Sequence, residues 1–412
     1  MTQTRLRDHP DFLRFWAADT VSMVGTYVTA LALQVLAVAT LHASATELGL
    51  LSAARWLPYL LFGLIAGVLV DRCRRKPILV GADLARAVLL ALIPLLAAVG
   101  QLGMPALIAL VIVFGALSLV YDAAHQSYLP RLVPGPLLTD ANARLEQTSS
   151  VAQTAGPLIA GWLVQAISAP AAILVDAISY LASGLVLARL HTTETPTPAP
   201  SRNLRRELRE GLAWVYRHRE LAPAAITSHV WFLCTGMVGA VSTFFVLKVL
   251  GFDAFALGVT FALGGAGSVL GALLSSRATR RFGAGRVIVA ACCLTPLGYA
   301  LIPLAGTGIT GLVLLCCAQF VFGFGLGLGN PVEMGFRQSV TPDHLQGRMN
   351  ATIRSLNRGA IVLGAPLGGV LADTLGSRLA LWIAVTGLVG QAVALACSPM
   401  WRARLPDTAP AA

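Results

Sequence analysis

Long apolar runs cut by tight clusters of charge constrain this chain more than any other feature. Residues 56–70 contain no Asp, Glu, Lys or Arg, and the next six residues carry one acid and four bases. The pattern recurs along all 412 residues, of which 12% are charged and 56% hydrophobic. A soluble domain carries about 25% charge, and half that amount cannot cover a water-soluble body of this size. The chain reads as an all-α integral membrane protein.

A membrane-crossing helix needs about 20 largely apolar residues. Cutting at charge clusters and Gly/Pro turns leaves twelve such segments. They lie near 13–40, 47–70, 77–99, 104–128, 142–167, 170–190, 222–249, 255–276, 285–305, 308–335, 348–373 and 378–398. Arg5, Arg7 and Arg14 precede the first run, which lacks a small-residue cleavage site after a short core, so it reads as a span and not a removable signal. Of the 30 Lys and Arg, five (Arg55, Arg86, Arg144, Arg354, Arg358) fall inside spans and two (Lys248, Arg378) on one side. The other 23 fall at the termini and in the loops of the opposite side. Cytoplasmic loops carry the excess of Lys and Arg, which places both termini in the cytoplasm of a multi-pass inner-membrane protein. The net charge of +11 is then a matter of topology and gives no support to nucleic-acid binding. The seven cysteines form no CxxC pair and read as buried thiols, not a disulfide or metal framework.

The longest polar stretch, 191–220, separates the sixth and seventh spans. A Thr/Pro linker opens it. Leu204, Leu208 and Leu212 then recur four apart with arginines between them, which suits a helix on an anionic inner leaflet or a solvated linker helix. The flanking segments echo each other: "GVLVDRCRRK" with "GALLSSRATRR", "QSYLP" with "QSVTP", "NA" with "NA", "AGPLIAG" with "GAPLGG", at offsets of 204, 212, 208 and 209. Four matches in order predict twelve transmembrane helices arranged as two pseudo-symmetric six-helix bundles, 1–190 and 222–412, joined by a linker over 191–221. Parallel repeats of this kind form a transporter plan with substrate held near the midplane between them.

These residues resemble the major facilitator superfamily. Its loop motif G-x-x-x-D-R-x-x-R-[RK] fits Gly67, Asp71, Arg72, Arg75 and Lys76, between the second and third spans. "YDAAHQSYLPRLVP", the Gly-Pro box at Gly156, Pro157 and Gly161, and "GRMNATIRS" before "GAPLGG" resemble the drug:proton antiporter branch that contains macrolide and enterobactin exporters. Two departures stand out. Span four has no intramembrane Arg, so the proton relay of many drug antiporters does not transfer, and Ser275 replaces the acid in the second copy of the loop motif. The resemblance implies that Asp71 latches the cytoplasmic side against span eleven, near Gly347 and Arg348. The arginines of the motif also enforce topology.

A charge near the bilayer centre costs roughly 2.5–3.5 kcal/mol on insertion scales. Asp19, Asp83, Asp122, Glu146 and Glu333 lie in the cytoplasmic third of their spans with Arg86, Arg144, Arg354 and Arg358, five acids against four bases. One carboxylate is left without a basic partner inside the spans, a candidate proton carrier. Asp83 and Arg86, three apart, suit a structural pair. Asp19, Asp122 and Glu146 are the coupling candidates, with a static ion network as the alternative. Glu333 is placed to meet Arg354 and Arg358, and Asp176 to meet Arg55. Tyr27, Trp231 and Phe244 are candidate lining for a bulky substrate, or packing residues. The reading is a proton-coupled exporter of amphipathic small molecules (drugs, macrolides or siderophores), a monomer with no cofactor and no metal. Uptake or lipid flipping on the same fold is the alternative. A non-transporting receptor lacks the expected sensor domain, and no nucleophile–His–acid set suggests an enzyme.

Overall fold

The computed structural model describes residues 6–71, 73–191 and 204–403. Thirteen α-helices follow in order: α1 Pro10–Ala39, α2 Ala45–Asp71, α3 Arg75–Ala98, α4 Met104–Leu132, α5 Leu138–Ile167, α6 Ala169–Ala188, α7 Leu204–Arg217, α8 Leu221–Phe244, α9 Ala254–Phe282, α10 Ala284–Ala300, α11 Gly308–Ser339, α12 Asp343–Leu375 and α13 Ser377–Ala396. No strand occurs among the described residues. Nine of these helices pass on length and apolarity alone as membrane spans. With α2, the polar-tipped α5 and the short apolar α10 they make the twelve crossings expected from the sequence, and α7 is the linker helix. Prolines start α1, α4 and α6, where the missing N–H is an orphan in any case. Prolines inside α2, α5, α11 and α12 are tolerated because neighbouring helices compensate in a membrane.

The described residues divide into two compact units. The first lies within Met1–Ala43, Ala54–Ser201 and Asp253–Ala262, the second within Ser44–Ala53, Arg202–Phe252 and Leu263–Ala412. Two ten-residue segments thus belong to the unit opposite to the one chain order assigns them: 44–53 at the start of α2 and 253–262 at the start of α9.

Inside each unit the same four helix pairings recur. α1 packs on α5 and α6, and α3 on α4 and α6. In the second unit α8 packs on α12 and α13, and α10 on α11 and α13. The two Gly-Pro boxes do equivalent work. A Cβ on Gly161 of α5 would come within 2.6 Å of the Ala254 carbonyl oxygen, and one on Gly258 within 2.5 Å of the Pro157 oxygen. In the second unit a Cβ on Gly369 of α12 would meet the Ala45 oxygen at 2.4 Å, and one on Gly49 the Ala365 oxygen at 2.3 Å. Small residues let membrane helices touch backbone to backbone, and here each box seats the first turns of a helix from the other repeat. The α5–α6 and α12–α13 turns also match: Ser168 has φ 88° and Gly376 φ 90°.

Helix α7 is docked, not free in solvent. Val215 is fully buried beside Leu221, Met349 and Ile353. Trp214 Nε1 donates to Thr341 Oγ1 at 3.3 Å, and Glu210 pairs with Arg348 on α12. Tyr216 bonds His229 on α8 at 2.6 Å. Leu212 is exposed, and the side chains of Leu204 and Leu208 lie outside the described residues.

Candidate functional site

In the first unit, apolar packing by Phe12, Phe15, Tyr128 and Leu79 adjoins a run of polar groups on α1, α3, α4 and α6. Asp19 on α1 meets His125 on α4, with Asp19 Oδ1 2.9 Å from the imidazole Nε2. Phe15 stacks on that ring at 4.9 Å and Tyr121 lies 5.7 Å away. One turn along α4, Asp122 accepts from the Tyr59 hydroxyl at 2.6 Å. Asp83 and Arg86 pair on α3 as their spacing predicts, both buried, and Ser183 of α6 donates to Asp83 at 2.7 Å. The Arg86 guanidinium sits 4.1 Å from the Tyr121 ring and 4.3 Å from the Tyr180 ring, so two aromatic faces and one carboxylate hold a cation away from water. In this pair Arg86 Nε alone is buried without a hydrogen-bond partner among the described residues. The Asp19–His125 contact is an ion-pair distance whose angles do not make a hydrogen bond.

Other expected residues fall elsewhere. Glu146 is exposed on α5. Arg144 lies 5.4 Å from the Trp16 ring centroid. Asp176 is fully buried and accepts from Thr29 at 2.5 Å and Ser179 at 2.8 Å, while Arg55 lies 5.8 Å from the Trp56 ring centroid. Tyr27 packs on the Gly-Pro box: a Cβ on Gly156 would approach the Tyr27 Cβ at 2.6 Å. In the loop motif, Arg75 Nε donates to Ser127 Oγ at 3.3 Å and Lys76 Nζ to the Leu190 oxygen at 2.7 Å, which ties the α3 start to α4 and to the end of α6. Arg72 and the side chains of Gly67 and Asp71 lie outside the described residues.

The second unit holds a half-open pocket of about 310 Å³ between α8, α10, α11 and α13. Trp231, Phe232, Thr227 and Ser228 line it from α8, Cys292 and Thr295 from α10, Asn330 and Glu333 from α11, and Gln391 from α13. Two sequence candidates, Trp231 and Glu333, thus line one pocket, and Phe244 does not. Glu333 pairs with Arg337 on its own helix. That replaces the expected meeting with Arg354 and Arg358, because an i, i+4 partner needs no particular helix rotation. Arg354 is exposed and Arg358 half-buried on α12.

At the linker helix α7 the electrostatics follow from two close pairs. A hydrogen bond from Arg206 at 2.8 Å holds the Glu210 carboxyl below the usual glutamate range. Glu210 thereby stays anionic while it grips Arg348.

His125 and Gln391 were not singled out from the sequence. His125 lies inside the quoted "YDAAHQSYLP", three residues after Asp122, and that spacing was the available signal. Gln391 carried no signal beyond being polar in an apolar span.

These features define a polytopic helical transporter built from a duplicated unit. A family model, Major Facilitator Superfamily, matches residues 15–365, and the chain belongs to that family. It is 28% identical to the multidrug efflux pump Tap of Mycolicibacterium fortuitum over 81% of this chain and 83% of that one. It is 23% identical to macrolide efflux protein A of Streptococcus pyogenes over 94% of this chain and 95% of that one. Its fold matches the crystal structure of the nucleoside transporter NupG with a TM-score of 0.74 at 14% identity, covering 96% of this chain and 100% of that one. It is a multi-pass membrane transporter.

Proposed function

We propose that this transporter exports small amphipathic molecules across the inner membrane in exchange for protons, by alternating access, as a monomer with both termini in the cytoplasm. The observation that carries the proton half is the Asp19–His125 contact at 2.9 Å. A carboxylate and an imidazole in contact change net charge when a proton arrives or leaves, and an intramembrane charge change of that kind biases a two-state equilibrium. Two relatives named as efflux proteins support the direction of transport. On the same reading Asp71 latches the cytoplasmic side, and Asp71→Asn keeps folded protein in the membrane while cutting transport.

The test uses inside-out vesicles with an imposed interior-acidic gradient and a dye substrate found by a growth-inhibition panel. Dye uptake is expected to follow the gradient and collapse with a protonophore, and Asp19→Asn and His125→Gln are expected to abolish the gradient dependence. Gradient-independent transport by the wild type overturns the proton coupling.

A further inference from the structure

Where α7 lies along the start of α12, the two helices leave an open groove of about 690 Å³. Arg206, Glu210 and Arg217 line it from α7, His218 from the turn that follows, and Leu345 and Arg348 from α12. Gly211 brings the helices together: a Cβ there would meet Thr352 Oγ1 at 2.7 Å and the Arg348 oxygen at 3.0 Å. Among the described lining residues three arginines face one acid, Glu210, which pairs with Arg206 and with Arg348. One carboxylate offsets one guanidinium, so the groove keeps two positive charges in excess. His218 adds a donor. Its Nδ1 accepts from the backbone N–H groups of Glu220 and Leu221 at 3.3 and 3.2 Å, which leaves the ring proton on Nε2. The groove also sits where crossings begin. α7 ends at Arg217 and the span of α8 starts at Leu221, while the apolar span of α12 starts at Leu345, itself a lining residue. That is the level of lipid head groups.

We infer that this groove binds the phosphate head group of an anionic phospholipid. A guanidinium offers two parallel N–H donors that match two phosphate oxygens, and a phosphate here meets the charge that Glu210 leaves uncompensated. The inference takes from the exporter reading only its topology, in which this end of the spans faces the anionic inner leaflet. Lipid binding is measured without any transport, so failure of the proton-gradient assay leaves it standing and the two readings fail separately.

The experiment is native mass spectrometry of the full-length protein in detergent, titrated with phosphatidylglycerol and with phosphatidylcholine of the same acyl chains. Each net positive charge near a lipid surface is worth about fivefold in affinity, so the wild type is expected to prefer phosphatidylglycerol about 25-fold. Arg217 is exposed and takes no part in the docking of α7, and Arg217→Gln is expected to cut that preference to about fivefold. The double variant Arg206→Gln/Arg217→Gln is expected to bring it to about one. Arg219→Gln removes the same charge two residues away, from a side chain that does not line the groove, and is expected to keep the full preference. A wild type that binds the two lipids equally overturns the inference without recourse to any variant. An equal loss in Arg219→Gln and Arg217→Gln overturns it as well, because the effect is then one of overall charge. Release of the bound lipid by millimolar glycerol phosphate assigns the groove to free phosphate compounds and overturns the lipid assignment.

Discussion

Asp373, near the end of α12, caps the first turn of α2 through Thr46. Its carboxylate accepts from Thr46 Oγ1 at 2.6 Å, from Thr46 N at 2.9 Å and from Ala45 N at 3.1 Å. Ser44 and Glu47 complete the turn as a reciprocal capping box, Ser44 N to Glu47 Oε2 at 2.9 Å and Glu47 N to Ser44 Oγ at 3.2 Å. The orphan amides of the α2 start are thus divided between a local partner and one 327 or 328 residues away in the chain. Helix α2 begins in the second unit and continues in the first.

Asp373→Ala removes only the distant partner. Hydrogen bonds to a charged group contribute about 1.5–3 kcal/mol, so amide exchange at residues 45 and 46 is expected to speed up about tenfold or more. Exchange in the middle of α2 is expected to stay unchanged. Unaltered exchange at both amides counts against the cap.

The Asp83–Arg86 pair is buried and enclosed by Tyr121 and Tyr180. Breaking it on one side leaves an uncompensated buried charge, at a cost of about 3–5 kcal/mol. Asp83→Leu or Arg86→Met alone is expected to lower the melting temperature of the purified protein sharply. The double variant is expected to lose less than either single one. A double variant with the summed loss shows that the two residues act independently.

Gly161 and Gly258 allow backbone contact between α5 and the start of α9. A Cβ at Gly161 meets a carbonyl oxygen, not a movable side chain, so Gly161→Val forces the helices apart. Overpacking of this kind costs about 1–3 kcal/mol. Reduced thermal stability with intact membrane insertion is the expected outcome, and a neutral effect places the contact elsewhere.

Ser168 occupies a positive-φ turn that its repeat counterpart, Gly376, occupies without strain. Non-glycine residues in such regions cost about 1–3 kcal/mol. Ser168→Gly is expected to raise the melting temperature. Gly376→Ser is expected to lower it by a similar amount.

Docking of α7 depends on Glu210 remaining ionised. Its folded-state pKa lies below the ordinary value because Arg206 donates to it. The contribution is therefore complete above the ordinary glutamate pKa of about 4.3 and is lost as pH falls through the lower folded value. Exchange protection of α7, corrected for intrinsic rates, is expected to hold from neutrality down to about pH 5. Glu210→Gln is expected to loosen α7 at every pH. Loss of protection already near pH 6 in the wild type contradicts this account.

The sequence by itself determined the number of crossings, the duplication and the local pairs, because apolar length, repeat offset and three- or four-residue spacing are properties of short stretches of chain. The twelve segments and the Asp83–Arg86 pair were legible on that basis. Glu333 shows the limit: it chose Arg337 one turn away over arginines on another helix. Only the tertiary structure decided that His125 faces Asp19, that Asp373 caps α2 and that α7 docks on α12. Each depends on how far one helix is rotated and slid along another. That register is set by the summed packing of whole faces, so no single stretch of sequence encodes it.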